Sequence, residues 1–500
     1  AIVGQTERSA MGGAYQQEID LVSLFKDVCS DYVQMCTVPE QLPNLIDRAI
    51  RIALSEAAPT CLIFPSDVFD LEYSAPKHAF KQVPSSLGLE QGRVAPDQAA
   101  VRRAADLLND GEKVAMLVGQ GARGCVEELT EVADLLGAGV AKALLGKDVL
   151  PDDLPWVTGS IGLLGTTASW YLMRDCDTLL TIGSNFPYTQ FLPPLDQARA
   201  VQIDRSGKWI GMRYPNELNL VGDAKATLQA LIPLLARKPD RSWREKVEKH
   251  VADWRTTVQR TAMTDADPIN PMRIFYEFSQ RMPADAIICA DSGSAANWYA
   301  RYLQFPAGVR GSLSGTLATM GPGVPYAIGA KWAHPGRPSI AFVGDGAMQM
   351  NGLAELITIA RYWRQWADPR LVIAVLHNDD LNQVTWELRA MGDSPKFEAS
   401  QSLPDVDYAG FARSVSLYGE NIDDANEMGG AWERALIADR PTVLDVRCDP
   451  DVPPIPPYAT FEQAKSLVKA VLGGDEDSAG FIKQGVRQKI QQYLPGEKKP

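Results

Sequence analysis

Apolar and polar positions along this chain fall in blocks, and the sharpest block spans residues 339–387. An apolar run, Ile340-Ala341-Phe342-Val343, stops at a tight turn, Gly344-Asp345-Gly346. A helical pattern follows over residues 352–362. A second apolar run, residues 371–376, stops at His377-Asn378-Asp379-Asp380. Short apolar runs bounded by turn residues predict buried strands, and longer amphipathic stretches predict helices. The block therefore reads strand, glycine turn, helix, strand, polar turn. In a parallel sheet both turns lie at the carboxyl ends of neighbouring strands, where open α/β sheets bind ligands.

The same grammar recurs along the chain. Residues 1–4 read as the end of a buried strand, residues 39–55 as an amphipathic helix, and residues 60–65 as a strand closed by Ser66-Asp67. Two strands and a helix bury too little surface to stand alone. Residues 1–72 are therefore expected to be the second half of an α/β domain, truncated at its N-terminus. A polar linker covers residues 70–97. A second unit, residues 93–236, holds a helix at 98–109, a strand at 114–118 closed by Gly119-Gln120-Gly121, a helix at 126–136, and strands at 178–182 and 200–203. A charged helical linker precedes a third unit, residues 266–450, and residues 451–500 form a tail. The fold class expected is α/β, with three doubly wound parallel-sheet domains, the first incomplete.

Composition narrows the function. The 500 residues are 45% hydrophobic, enough for a large core, and the net charge is −13. An acidic chain lacks the basic face that nucleic acid requires. The seven cysteines fit no zinc spacing and sit mostly in apolar runs, which predicts reduced core thiols and a cytoplasmic protein. No apolar run is long enough to span a bilayer. Four histidines make a histidine-rich metal site unpromising.

The chemistry of the two turns suits a hard cation carrying a diphosphate. Mg²⁺ takes oxygen ligands at near-octahedral geometry, some from protein and the rest from phosphate and water. Asp345 offers a carboxylate, Asn378 an amide oxygen and Asp380 a main-chain carbonyl. Gly344 and Gly346 leave room for phosphate oxygens, and with Gly346 and Ala347 beside the cofactor the helix start just beyond adds N–H donors and a favourable dipole.

A Gly-Asp-Gly turn followed by a helix and a strand ending in Asn resembles the signature of the thiamine diphosphate (ThDP) enzymes. That family usually ends the strand with Asn-Asn, where this chain has His377-Asn378. Segments over nearly the whole chain are similar to its pyruvate oxidase and pyruvate:quinone oxidoreductase branch: residues 12–18, 143–147, 183–188, 220–224 and 455–465. The resemblance implies pyrimidine-binding, middle and diphosphate-binding domains, with ThDP and Mg²⁺ bound in a homo-dimer or tetramer. It implies FAD in the middle domain, along Gly162-Leu163-Leu164-Gly165 and Ser184-Asn185-Phe186-Pro187-Tyr188, with Asp204 on a ribose. Ser294, Ala318 and Thr319 would lie beside ThDP, and Met320 would prop it in a bent shape.

In the same resemblance Gln17, Gln383 and Glu387 would face the substrate, pyruvate or another small 2-oxo acid. Quinone or oxygen would accept the electrons. Gln16 and Gln383 replace aromatic residues of that branch, so a non-redox carboligase or decarboxylase resembling acetolactate synthase, or an inactive assembly subunit, stays open. The family's activating glutamate is expected upstream of Ala1, since neither Glu7 nor Glu18 matches its context. A chain limited to these residues is expected to be inert. In the tail, Ala464, Leu467, Val468, Val471 and Leu472 share one helical face, and a looser stripe runs through Phe481, Ile482, Val486, Ile490 and Leu494. With Lys483, Arg487 and Lys489 nearby, that pattern is expected to touch the inner face of the cell membrane peripherally, or else to fold on its own or a partner subunit.

Overall fold

A computed structural model describes residues 1–76, 94–392, 394–454, 456, 484 and 485. His78 and both apolar stripes of the tail lie outside the described residues. The chain divides into two compact units, residues 1–93 and residues 94–500.

The first unit is built on a three-stranded parallel sheet of β1 (Ile2–Gln5), β2 (Val33–Met35) and β3 (Cys61–Pro65), in the order β1-β3-β2. Its strand β2 was not anticipated, because three residues carry too little alternation to register. Helix Leu42–Glu56 opens on Pro43, a residue favoured in a first helical turn, and ends at Ala57 in the left-handed conformation. Gln17 sits on the loop after β1, exposed, with φ 66°. Glu7 and Glu18 serve local turns: Glu7 accepts from the Ser9 hydroxyl at 2.6 Å, and Glu18 from the Tyr15 N–H at 3.1 Å.

The second unit holds two six-stranded parallel sheets. The first comprises β4 (Val114–Val118), β5 (Gly139–Lys142), β6 (Val157–Ser160), β7 (Thr178–Ile182), β8 (Arg199–Asp204) and β9 (Leu218–Val221). Their order, β6-β5-β4-β7-β8-β9, is that of a doubly wound nucleotide-binding sheet whose direction of winding reverses between β4 and β7. There the backbone turns pinch shut. The Gly121 N–H donates to the Gly183 carbonyl at 3.0 Å, and a Cβ on Gly183 would lie 2.5 Å from the Gly121 carbonyl carbon.

The last sheet comprises β10 (Ile287–Ala290), β11 (Arg310–Ser312), β12 (Ser339–Gly344), β13 (Leu371–His377), β14 (Tyr418–Ile422) and β15 (Thr442–Arg447), in the order β11-β10-β12-β13-β15-β14. Every residue of β13 is buried, as a strand covered on both faces requires. Phe275, Phe278, Phe342 and Trp432 interlock on one face of this sheet, with Phe275 and Phe342 stacked 4.4 Å apart. Val324, Ile328, Leu356 and Ile359 fill the other.

A buried cluster ties the two sheets together. Asp152 lies between Lys142 Nζ at 2.7 Å and Lys147 Nζ at 3.3 Å, and it exchanges backbone and side-chain hydrogen bonds with Phe305. All seven cysteines are buried free thiols, as their apolar context predicts. Among the described residues no helix is long and apolar enough to cross a membrane.

Candidate cofactor site

The three neighbouring strands β10, β12 and β13 end in turns that carry most of the polar groups singled out above. β10 and β12 flank the point where the strand order reverses, the position at which parallel sheets open a crevice. β12 leads directly into helix: residues Asp345–Ala347 are already helical, followed by a π-turn at Met348–Gly352 and a regular helix at Leu353–Tyr362. The sequence pattern placed the helix start at Gly352. Asp345 is thus a first-turn residue, and widened turns of this kind favour functional sites.

Asp345 is only 2% exposed. Its Oδ1 accepts the Gly346 N–H at 2.8 Å, and Oδ2 accepts the N–H groups of Asn378 at 2.8 Å and Asp379 at 2.6 Å. Burial pushes its pKa up to about 6, against the pull of those three donors and of the nearby His377. Among the described residues no lysine or arginine pairs with it. A buried carboxylate held by backbone donors, with lone pairs to spare and no pairing lysine or arginine, is chemically suited to a cation.

The turn after β13 supplies the other oxygens. Asn378 Oδ1 accepts the Asp380 N–H at 3.2 Å, so amide oxygen and following backbone form one compact loop. The Asp380 carboxylate is engaged elsewhere, with the Thr385 hydroxyl at 2.9 Å and Asn382 Nδ2 at 3.1 Å, while its carbonyl accepts the Asn382 N–H at 2.7 Å and keeps a second lone pair to offer. Asp345, His377 and Asp379 bring one ligand atom each within 4.8 Å of one another. The two glycines differ. A Cβ on Gly344 meets nothing within 4 Å, whereas one on Gly346 would lie 2.7 Å from Leu381 Cδ2 and 3.3 Å from Met320 Cε. Gly344 faces open space, as expected. Gly346 instead leaves room for protein side chains.

The turn after β10 places Met320. Asp291, fully buried, accepts N–H groups from Ser292 at 2.9 Å, Gly321 at 2.9 Å and Gly323 at 2.8 Å. It therefore caps helix Gly323–Ala333 and fixes the turn carrying Met320, a task the sequence did not reveal. Burial raises its pKa against those donors. Ser292 Oγ donates to the Thr319 carbonyl at 2.7 Å, and Ala318 adopts φ 48° beside it. Ser294 Oγ donates to Asn382 Oδ1 at 3.0 Å. On helix Asn382–Met391, Gln383 accepts from Asn297 Nδ2 and donates through Nε2 to Glu387 Oε1 at 3.0 Å. Gln383 is half-buried and Glu387 exposed.

The stretches expected to line a flavin lie at the ends of β6, β7 and β8. Gly162, at φ 100°, is covered by Phe186, whose Cζ would be 2.7 Å from a Cβ there. The buried guanidinium of Arg301 donates to the carbonyls of Leu163 and Gly165. Leu164 packs against the core of the last sheet. Ser184 accepts Gln202 Nε2 on its carbonyl at 3.2 Å, Pro187 is exposed, and the rings of Phe186 and Tyr188 meet edge to face. Asp204 Oδ1 accepts the Ser206 N–H at 2.9 Å and so caps its own turn.

Fold and site together define a doubly wound α/β protein with a buried carboxylate, chemically suited to a cation, beside the topological switch point of its last sheet. Comparison with known proteins gives the family. Residues 101–231 match the central domain of thiamine pyrophosphate enzymes, and residues 291–446 match their C-terminal TPP binding domain. A protein of Bacillus subtilis (strain 168) named as thiamine pyrophosphate-containing, YdaP, is 30% identical over 99% of this chain and 83% of its own length. A protein of Methanocaldococcus jannaschii named as an acetolactate synthase large subunit is 29% identical over 91% of this chain and 78% of its own. The sulfoacetaldehyde acetyltransferase of Castellaniella defragrans is 27% identical over 86% and 75%. The chain belongs to the thiamine diphosphate (pyrophosphate)-dependent enzymes.

Proposed function

We propose that the chain is a Mg²⁺- and ThDP-dependent carboligase, which removes carbon dioxide from a small 2-oxo acid and passes the remaining acyl carbon to a second carbonyl compound. The observation that carries this reading is Asp345, a buried carboxylate that no lysine or arginine among the described residues pairs with, tied by two hydrogen bonds to the turn bearing Asn378. Asp345, the Asn378 amide oxygen and the Asp380 carbonyl would hold Mg²⁺ and, through it, the diphosphate. ThDP, when bound, supplies a nucleophilic carbon and takes up the electron pair released with carbon dioxide.

The chain's own residues position and shield. Asp291 sets the Met320 turn beneath the crevice. Gln383 and Glu387 together offer an amide and a carboxylate toward a polar substrate. Two of the relatives are named for synthesis or acyl transfer rather than oxidation, which supports carbon–carbon transfer over electron transfer.

A second reading is flavin-linked oxidation of pyruvate, with quinone or oxygen as acceptor. It is favoured by one atom: Asn185 Oδ1, at the carboxyl end of β7, is buried without a hydrogen-bond partner. Such an orphan suits a bound ligand. Protein that includes an activating glutamate, incubated with pyruvate, Mg²⁺ and ThDP, should release carbon dioxide and form a condensed hydroxy-keto acid without any electron acceptor. Acetate formed only with an acceptor present, together with visible flavin absorbance, would replace the first reading by the second. Failure to bind Mg²⁺-ThDP in calorimetry would leave an assembly subunit.

A further inference from the structure

The imidazole of His377 is fully buried between two carboxylates contributed by separate parts of the chain. Nδ1 lies 2.7 Å from Asp445 Oδ1 on β15, and Nε2 lies 2.9 Å from Asp379 Oδ1 in the turn after β13, with the exposed Asp405 Oδ1 farther off at 3.5 Å. Each ring nitrogen thus faces a carboxylate oxygen at hydrogen-bond distance, and the ring bridges the two. Asp445 is itself pinned: its Oδ2 accepts the Tyr408 N–H at 3.0 Å and Asn421 Nδ2 at 3.3 Å. The Tyr408 ring stands edge-on to the imidazole at 4.9 Å and closes the cage.

At the other end, Asp379 occupies the left-handed region, φ 54°. That conformation is uncommon away from glycine and needs local support. Both carboxylate oxygens provide it. Oδ1 meets Nε2 of His377, and Oδ2 accepts Arg447 Nη1 at 3.0 Å. The backbone N–H of Asp379 meanwhile donates to Asp345. Asp379 thus sits between the two groups that would face the cation, the Asn378 amide and the Asp380 carbonyl, and its backbone angle sets the direction of each.

We propose that His377 is a positioning residue for the metal–diphosphate site. Anchored on Asp445, it clamps the Asp379 carboxylate together with Arg447, holds the left-handed turn, and so aims the Asn378 and Asp380 oxygens. The inference rests on the cation site proposed above. It also explains what a histidine does where the resembling family has asparagine: only a longer ring spans both carboxylates. The alternative role is that of a satisfied core histidine, contributing to folding alone.

The test uses the full chain, thiamine diphosphate and Mn²⁺ as the paramagnetic probe, with the Mn²⁺ dissociation constant read by water-proton relaxation. Outer partners of a metal site typically change its affinity 10- to 100-fold when removed. His377→Asn and Asp379→Ala are each expected to weaken Mn²⁺ binding by about that factor, and the double variant by no more than the more damaging single one, because both break the same clamp. Asp379 is about one-third exposed, so Asp379→Ala should cost less stability than His377→Asn and report positioning even if the latter folds poorly. Single variants within about threefold of the parent, or losses that add in the double variant, or losses matched by a collapse in melting temperature, would overturn the proposal. Asp345→Ala is the separate control. If it too leaves Mn²⁺ bound, the cation site falls; if it alone abolishes binding, the site stands without the clamp.

Discussion

The backbone N–H of Asn378 donates to Oδ2 of Asp345 at 2.8 Å, reaching from the turn after β13 to the first helical residue after β12. One carboxylate therefore sets the spacing of two turns that lie 33 residues apart in sequence. The arrangement keeps an anion out of water, and its pKa of about 6 records that strain.

Replacing Asp345 by Asn should therefore abolish Mg²⁺-dependent ThDP binding and remove a pH-dependent penalty on folding, a relief offset by a fixed loss where the amide NH2 faces backbone N–H donors. A carboxyl whose folded pKa exceeds its unfolded value of 3.8 opposes folding at every pH above about 6, and that opposition fades as pH falls through 6 toward 4. The relief at pH 7.5 is at most about 3 kcal/mol, from a rise of roughly two pKa units at about 1.4 kcal/mol each. The melting temperature of Asp345→Asn relative to that of the parent should be higher at pH 7.5 than at pH 5. Equal separation at both pH values would show that the carboxylate carries no such burden.

Asp152 gives the opposite sign. Among the described residues it is the only carboxylate beside the ammonium groups of Lys142 and Lys147, both almost fully buried. Asp152→Ala leaves two buried cations uncompensated, and breaking a buried pair in this way typically costs about 3–5 kcal/mol. Because Asp152 also bonds Phe305, the loss should loosen the seam between the two large sheets. Urea unfolding should show a lower midpoint or a second transition. An unchanged midpoint would mean that the lysines find other partners.

Met320 tests the crevice without touching the cation. Its Cε lies 3.3 Å from the position a Gly346 Cβ would take, so the side chain reaches across to the Asp345 turn. Met320→Ala should leave Mg²⁺-ThDP affinity within about threefold of the parent, since no ligand oxygen is lost. Turnover should fall by up to about 10²-fold, the penalty of an ångström-scale misplacement. Calorimetry and steady-state rates separate the two effects. A loss confined to affinity would remove the prop assignment.

Much of this was legible in the sequence where chemistry and spacing are local. Gly344-Asp345-Gly346, the helix after it and Asn378 at a strand end needed only short-range patterns, and the structure brings Asp345 and Asn378 together as those patterns require. What stayed hidden depends on strand order. Asp445 lies 68 residues from His377 and meets it only because β15 pairs with β13. Asp291 caps a helix 32 residues away across the switch point. Strands β5, β6 and β9 are four residues each and lie among turn residues, so their periodicity is too brief to read. The helix at Asp345 was placed seven residues late, because glycine at 344, 346 and 352 masks a helical start that the π-turn accommodates.

The two glycines of helix Gly323–Ala333 that carry the clearest contrast, Gly323 and Gly329, provide the last prediction. Alanine is favoured over glycine inside a helix by about 1 kcal/mol. At Gly329 a Cβ meets nothing within 4 Å, so Gly329→Ala should gain most of that amount. At Gly323 a Cβ would lie 2.9 Å from Asp291 Oδ2 and 3.1 Å from Val343 Cγ2. Neither neighbour can give way: Asp291 is held by three N–H donors, and Val343 is buried in β12. Overpacking of this kind costs about 1–3 kcal/mol, which outweighs the helical gain. The same carboxylate fixes the turn carrying Met320, so the clash should also reach the cofactor crevice. Gly323→Ala should lower the melting temperature of the ligand-free protein and weaken Mg²⁺-ThDP binding, while Gly329→Ala raises the first and leaves the second unchanged. If both variants stabilise alike, Asp291 yields to the added methyl and does not hold the turn rigidly.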